Sequence, residues 1–259
     1  EGVQDQFSWR RSTDFDTVGE EARAVRRGVG ICEISGFAKY SVEGAGAEAW
    51  LDRMLACRIP GEGRMTLAPM LKEDGFVIGD FTLANLGGAE FFIAGSGIAQ
   101  DYHMRWFEQN LPGDGSVRIT AHGQKMVGLT IAGPNARKLL EKLTDHDVSA
   151  EGFRFMDIAR MDIGMAPCLV GRVSFTGDLG YEIWMEPAYQ RHVYEQLWLA
   201  GVELGIRNFG LRALNALRLE KNFGGWAREY RPVYSPWECG LGRFVALKKD
   251  AGFIGKAAA

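Results

Sequence analysis

Two similar stretches decide the fold of this chain: Ser41–Leu51 reads SVEGAGAEAWL, and Thr130–Leu140 reads TIAGPNARKLL. Each is typical of a short strand, a glycine turn and a helix whose apolar residues recur three and four positions apart. Gly44 and Gly133 occupy the same place in the two turns. The recurrence indicates that the chain contains two copies of one structural unit.

The sequence after each copy is also alike, because it predicts a strand, a turn, a returning strand and a helix. These segments fall at 76–84, 91–94 and 99–110 in the first copy, and at 169–175, 181–185 and 189–204 in the second. We therefore predict an α+β fold of two ferredoxin-like, split βαβ repeats around a central cleft that fits a flat ligand. The predicted domains are an N-terminal segment at 1–35, a first repeat at 36–121, a second repeat at 122–205, and a helix with a connecting loop at 206–259.

The composition argues against several classes of protein. The 259 residues carry a net charge of -3, which gives no broad positive field, so we expect no nucleic-acid partner. No apolar run approaches about 18 residues, and the N-terminal stretch lacks the apolar core of a signal peptide, so we predict a cytoplasmic protein without a membrane span. The 4 cysteines and 4 histidines are scattered without the spacing of metal ligands, and we predict no metal site.

Asp80 is the first candidate for chemistry. It stands between Gly79 and Phe81 in an otherwise apolar strand. A carboxylate is costly to bury there unless it is paired or hydrogen-bonded. The alternative is a strand-end aspartate that caps a turn or faces solvent.

Glu182 is the second candidate, directly after the turn TGDLG and next to Tyr181. Alternation along the strand puts Tyr181 and Ile183 on one face and Glu182 on the other. A carboxylate can accept two N–H donors from the amino-amidine edge of a pterin or purine. The alternative is a cross-strand ion pair with Arg172 or a lysine.

A basic stretch near the end of the chain is interleaved with aromatic residues. It comprises Arg212, Arg218, Lys221, Arg228 and Arg231 together with Phe223, Trp226 and Tyr230. Such a surface suits the carboxylates of a glutamate tail and stacking on an aromatic ring, or it is an ordinary solvated helix face and loop. The chain has no P-loop, no G-x-S-x-G and no G-x-G-x-x-G opening a Rossmann helix, so the residues alone indicate only a two-lobed, enzyme-like domain.

Six stretches in register resemble the aminomethyltransferase family, that of the glycine cleavage T-protein. They lie at 25–51, 70–86, 131–140, 174–185, 216–230 and 235–256. Within this family the chain is most similar to the folate domains of dimethylglycine and sarcosine dehydrogenases. It departs from the glycine cleavage proteins in having Gly79-Asp80 where they have two aspartates, and Leu214 where they have an arginine. It also lacks the K-G-C-Y-x-G-Q-E motif of the tRNA-modification branch.

The resemblance implies an enzyme that uses tetrahydrofolate to accept an iminium or formaldehyde unit from an N-methyl amine, giving 5,10-methylenetetrahydrofolate. It implies a catalytic role for Asp80 and folate contacts for Glu182, Tyr181, Phe175, Arg218 and Trp226. FAD would belong only to an upstream flavin domain fused to this chain, and a C-terminal barrel would follow residue 259. Two alternatives remain: direct methyl transfer to tetrahydrofolate, as in dimethylsulfoniopropionate demethylases, or a folate-fold binding module without catalysis.

Overall fold

A computed structural model describes residues 9–226 and 228–259. These residues form an α+β fold with two β-sheets, which confirms the predicted fold class. The helices are α1 (Phe15–Arg27), α2 (Ala47–Met54), α3 (Gln100–Gln109), α4 (Ala136–Leu140), α5 (Pro187–Gly201) and α6 (Leu211–Glu220). The strands are β1 (Gly30–Glu33), β2 (Ala38–Glu43), β3 (Arg64–Leu71), β4 (Val77–Gly87), β5 (Glu90–Gly95), β6 (Arg118–Ala121), β7 (Val127–Ala132), β8 (Ile158–Ile163), β9 (Ala166–Gly171), β10 (Gly180–Met185) and β11 (Arg207–Asn208).

The chain divides into two compact units, and each is built from separate stretches of sequence. Unit 1 comprises residues 1–34, 127–155 and 160–223, of which 1–8 lie outside the described residues. Unit 2 comprises 35–126, 156–159 and 224–259. The predicted domains were contiguous segments, and their boundaries stay a prediction.

The sheets follow one plan. The sheet of unit 2 has the order β3-β4-β5-β2-β6, in which β2 is antiparallel to both β5 and β6. The other sheet has the order β11-β1-β7-β10-β9-β8. In the sheet of unit 2, β4, β5, β2 and β6 lie side by side as the second, third, first and fourth strands of a split βαβ repeat. In the other sheet β9, β10, β7 and β11 have the same order once β1, which lies between β7 and β11, is set aside. This shared order is what the predicted duplication requires.

Helices pack against each sheet through apolar side chains. In unit 2, Trp50 and Leu51 of α2 and Phe107 of α3 pack with Phe81 and Leu83 of β4. In unit 1, helices α1 and α6 pack on the face of β1 that carries Cys32, through residues that include Val25, Ala213, Leu214 and Leu217. Both clusters follow the amphipathic patterns of the helices.

Several elements differ from the prediction. Strand β1 lies in the predicted N-terminal segment and yet pairs with β7 in the sheet of unit 1. The predicted strand over 169–175 ends at Gly171, and the residues after it form turns. Strand β3 was not predicted; it contains Pro69 and lies at an edge of its sheet, where a proline is tolerated. Among the described residues, no helix combines the length and apolar character needed to cross a membrane.

Candidate functional site

Asp80 lies inside β4, where it pairs with Pro69 of β3, and not at a turn. Its Oδ1 atom is inaccessible to solvent and has no hydrogen-bond partner. Burial raises the pKa of this carboxyl to about 8. The predicted alternative of a turn-capping aspartate is therefore wrong, and Oδ1 of this carboxyl is an unsatisfied acceptor within unit 2.

The segment 224–259 brings Tyr230 and Cys239 into the electrostatic range of Asp80. The pKa of Tyr230 is raised by burial first, and the negative charge of Asp80 raises it further. The pKa of the Cys239 thiol is raised by burial, then by Glu238 and then by Asp80. The hydroxyl oxygen of Tyr230 accepts a hydrogen bond from the Gly224 amide at 3.2 Å. Tyr230 is thus an aromatic neighbour of the buried carboxyl.

Trp226 belongs to the same unit as Asp80 and forms a β-bridge with Tyr230. Its indole stacks on Tyr102 with ring centroids 6.0 Å apart, and it meets the ring of His103 at 5.1 Å in an edge-on arrangement. Burial lowers the pKa of His103 to about 4, so its imidazole is neutral near pH 7. These contacts hold Trp226 against α3.

Glu182 lies in β10 of unit 1, between Thr130 of β7 and Gly171 of β9. Neither neighbour carries a charge, and Arg172 instead donates to the carbonyl oxygen of Phe153 at 2.6 Å. The predicted alternative, an ion pair with Arg172, is therefore not formed. Burial raises the pKa of the Glu182 carboxyl to about 7.

Tyr181 points to the other face of the same sheet. It is fully buried and stacks on Phe153, with ring centroids 6.2 Å apart and an interplanar angle of 7°. Successive residues of a strand face opposite ways, so Tyr181 and Glu182 cannot approach one ligand from the same face. The structure thus places Tyr181 and Glu182 on opposite faces, as the alternation along the strand predicted, and we leave Tyr181 out of the candidate site.

Phe175 and Arg218 meet through Phe223, a residue that the predicted site did not include. The rings of Phe175 and Phe223 stack with centroids 6.3 Å apart. Arg218 is buried and donates to the Phe223 carbonyl oxygen at 2.7 Å and to Asn215 Oδ1 at 2.8 Å. Arg218 therefore fixes the end of α6. The sequence feature that could have indicated Phe223 was its place among the aromatic residues interleaved with the basic stretch.

Other members of the basic stretch make contacts within the protein. Arg212 forms an ion pair with Asp14 at 2.5 Å. Arg231 donates to the hydroxyl of Tyr234 at 3.2 Å, and its guanidinium lies over that ring at 5.6 Å. These contacts favour the ordinary structural interpretation of Arg212 and Arg231 over a glutamate-binding surface.

Asp80 and Glu182 share one chemical property. Each carboxyl belongs to a half-buried residue within a strand, and each has a pKa that desolvation moves from the acid range to near neutrality. Such groups can accept an N–H bond or hold a proton near pH 7, and strongly perturbed carboxyls are concentrated at functional sites. Each unit therefore contains one candidate functional carboxyl.

Comparison with known proteins gives a consistent result. The GCVT N-terminal domain family matches residues 2–249. The chain is 38% identical to mitochondrial dimethylglycine dehydrogenase of Mus musculus over 97% of its own length and 29% of the length of that protein. It is 30% identical to the aminomethyltransferase of Halothermothrix orenii, with 96% of this chain and 69% of the relative covered.

A solved structure supports the fold. The glycine cleavage system aminomethyltransferase T from Bartonella henselae superposes with a TM-score of 0.79 at 23% identity, over 93% of this chain and 64% of that one. At this identity the likeness speaks for the fold alone. The resemblance predicted from the six stretches is confirmed, and the chain belongs to the GCVT N-terminal domain family, that of the glycine cleavage T-protein.

Proposed function

We propose that this chain is the tetrahydrofolate-binding part of an enzyme that transfers one-carbon units. The observation that carries the proposal is the buried Oδ1 atom of Asp80, which has no hydrogen-bond partner, in a member of the GCVT family. An acceptor without a donor inside a strand costs folding free energy, so its retention favours a ligand that supplies a donor or a positive charge. Both relatives named above carry names of amine or aminomethyl chemistry.

The residues fit a reduced pterin. Bound tetrahydrofolate would supply the N5 nitrogen that accepts an iminium or formaldehyde unit derived from an N-methyl amine, with 5,10-methylenetetrahydrofolate as the product. Asp80 would act there electrostatically, because its anion stabilises cationic character at the reacting nitrogen and orients the amine. Asp80 must be deprotonated for this role, so a cationic partner would lower the pKa that burial has raised.

Glu182 would accept hydrogen bonds from the amino-amidine edge of the pterin. A carboxylate can take two parallel N–H donors from such an edge, and burial strengthens both bonds. Phe175, Arg218 and Trp226 are further proposed contacts, of which Arg218 already has protein partners. An upstream flavin domain, carrying FAD and supplying the oxidised amine, is proposed from the likeness to dimethylglycine dehydrogenase, of which this chain spans 29%.

Replacement of Asp80 tests the catalytic assignment. We expect Asp80→Asn to reduce the rate of one-carbon transfer to tetrahydrofolate by about 100-fold while the affinity for tetrahydrofolate changes less, because the charge acts on the reacting nitrogen. Asp74→Asn is the matched control, since Asp74 is exposed in the turn before β4. Transfer by Asp80→Asn at the wild-type rate would overturn the assignment.

The same assay distinguishes the alternatives by its product. 5,10-Methylenetetrahydrofolate supports the proposal, whereas 5-methyltetrahydrofolate indicates direct methyl transfer. Calorimetry with tetrahydrofolate distinguishes an enzyme from a binding module. The protein used should include any flavin domain that is fused to this chain. Binding of tetrahydrofolate without one-carbon transfer would favour the binding module. The absence of both binding and transfer would contradict the proposed function.

A further inference from the structure

Arg26, at the end of α1, connects two separate parts of unit 1. Its Nη1 donates to Asp178 Oδ2 at 2.5 Å, and its Nη2 donates to Glu220 Oε2 at 2.6 Å. The same two nitrogens lie 3.5 Å from the carbonyl oxygens of Thr176 and Leu217. One planar guanidinium thus joins α1 to the turn before β10 and to the end of α6, a geometry that the ammonium of a lysine cannot reproduce.

The turn and the end of α6 also pack directly on each other. Gly177 has φ +73°, and a Cβ there would collide with the side chain of Lys221. Phe175 of the turn also stacks on Phe223, which follows the end of α6. We call the turn 174–180, the helix end 217–223 and the Arg26 guanidinium between them the Arg26 clamp.

The turn is held by its own hydrogen bonds and continues into the strand of Glu182. The hydroxyls of Ser174 and Thr176 are 2.8 Å apart, and the Asp178 amide donates to Thr176 Oγ1 at 3.2 Å. The Leu179 carbonyl oxygen accepts a bond from the Gly133 amide at 2.8 Å, at the end of β7. Since β10 begins at Gly180, two residues before Glu182, a displaced turn would displace the carboxyl of Glu182.

We propose that Arg26 is a positioning residue for folate binding, because the Arg26 clamp fixes the turn that places Glu182 and the stack that holds Phe175. This inference rests on the proposed function, in which Glu182 and Phe175 contact the pterin. Arg26 itself need not contact the ligand. Small displacements of a binding group are sufficient to weaken a bidentate contact.

Binding measurements on the full chain test the proposal. We expect Arg26→Gln to raise the Kd for tetrahydrofolate by about 10-fold. The Kd of Arg26→Lys should lie between those of the wild type and Arg26→Gln, because lysine keeps the positive charge but lacks the planar guanidinium that bonds two partners at once. Asp178→Asn removes only the ion pair between Arg26 and Asp178 and should also raise the Kd for tetrahydrofolate. The matched control is Arg27→Gln, since Arg27 is exposed on the same helix and should bind tetrahydrofolate as the wild type does.

A double-mutant cycle distinguishes positioning from loss of stability. In a Glu182→Gln background the effect of Arg26→Gln on Kd should shrink to less than about threefold, because the contact that Arg26 positions is already weakened. Fully additive losses would overturn the proposal, as would an unchanged Kd in Arg26→Gln when the wild type binds. Wild-type protein that binds no tetrahydrofolate would instead overturn the proposed function, and this inference with it.

Discussion

At the scale of single residues, Asp80 and Glu182 differ from the other acidic side chains with shifted pKa values. Exposed Asp74 and Asp114 have lowered pKa values, through hydrogen bonds from Lys72 and Ser116 respectively. Asp80 and Glu182 have raised values because burial penalises the anion. The two groups therefore lower the stability of the unliganded fold at neutral pH, which is characteristic of functional carboxyls.

This property predicts a pH dependence of stability for Asp80. Its pKa is about 8 in the folded protein against an ordinary 3.8, so between these values the folded protein keeps a proton that the unfolded chain has released. The contribution of Asp80 to the free energy of unfolding is then fully present below pH 3.8 and is lost as the pH rises through about 8. Urea titrations between pH 4 and pH 8, where the protein stays folded, should show a smaller decline for Asp80→Asn than for the wild type.

Asp74→Asn serves as the control for this comparison. The pKa of Asp74 is lowered, so its contribution is lost only as the pH falls below its ordinary value of 3.8. Asp74→Asn should therefore follow the wild type from pH 4 to pH 8. Parallel profiles for the wild type and Asp80→Asn would contradict the burial of the carboxyl.

At the scale of elements, the side-chain amine of Lys249 connects the C-terminal segment of unit 2 to the end of α2 through hydrogen bonds. The Nζ of Lys249 donates to Asp52 Oδ1 at 2.7 Å and to the carbonyl oxygens of Leu55 at 2.9 Å and Cys57 at 3.0 Å. The side chain of Lys249 is 4% exposed. Carbonyls at a helix end need donors, and Lys249 supplies donors from a distant part of the chain.

Removal of this amine should destabilise the protein. We expect Lys249→Met to lower the free energy of unfolding by about 2–4 kcal/mol, because it leaves buried acceptors without a donor. Lys248→Met is the control, since Lys248 is exposed. Urea unfolding measures both variants, and equal stabilities for the two would show that the contact contributes nothing.

At the scale of the whole molecule, each unit is assembled from stretches that are far apart in sequence. The segment 224–259 contributes Tyr230, Leu241, Val245 and Phe253 to a core cluster that also contains Leu71 and Val77. Burial of four such side chains is worth about 1.5–3 kcal/mol each, comparable with the whole stability of a typical domain at about 5–15 kcal/mol. The predicted first repeat alone therefore lacks part of its core.

Fragments test this conclusion. We expect residues 36–121 alone to show no cooperative unfolding transition, whereas the same residues joined to 224–259 by a flexible linker should regain one. Circular dichroism during urea titration measures both fragments. A transition for 36–121 alone at the midpoint of the full chain would contradict the requirement for the C-terminal segment.

The sequence by itself determined the α+β class and the two strand–glycine–helix copies, and the resemblance of its six stretches to the aminomethyltransferase family indicated the GCVT family and singled out Asp80 and Glu182. The fold class and the two copies depend on local periodicity and turn chemistry, which a single chain displays directly, whereas the family and the two carboxyls were recognised from the resemblance of motifs. Only the tertiary structure decided that β1 joins the sheet of the second copy, that Tyr181 stacks on Phe153, and that Arg26 links two distant segments. Those outcomes depend on which segments pair and pack across long separations, and no local pattern encodes such contacts.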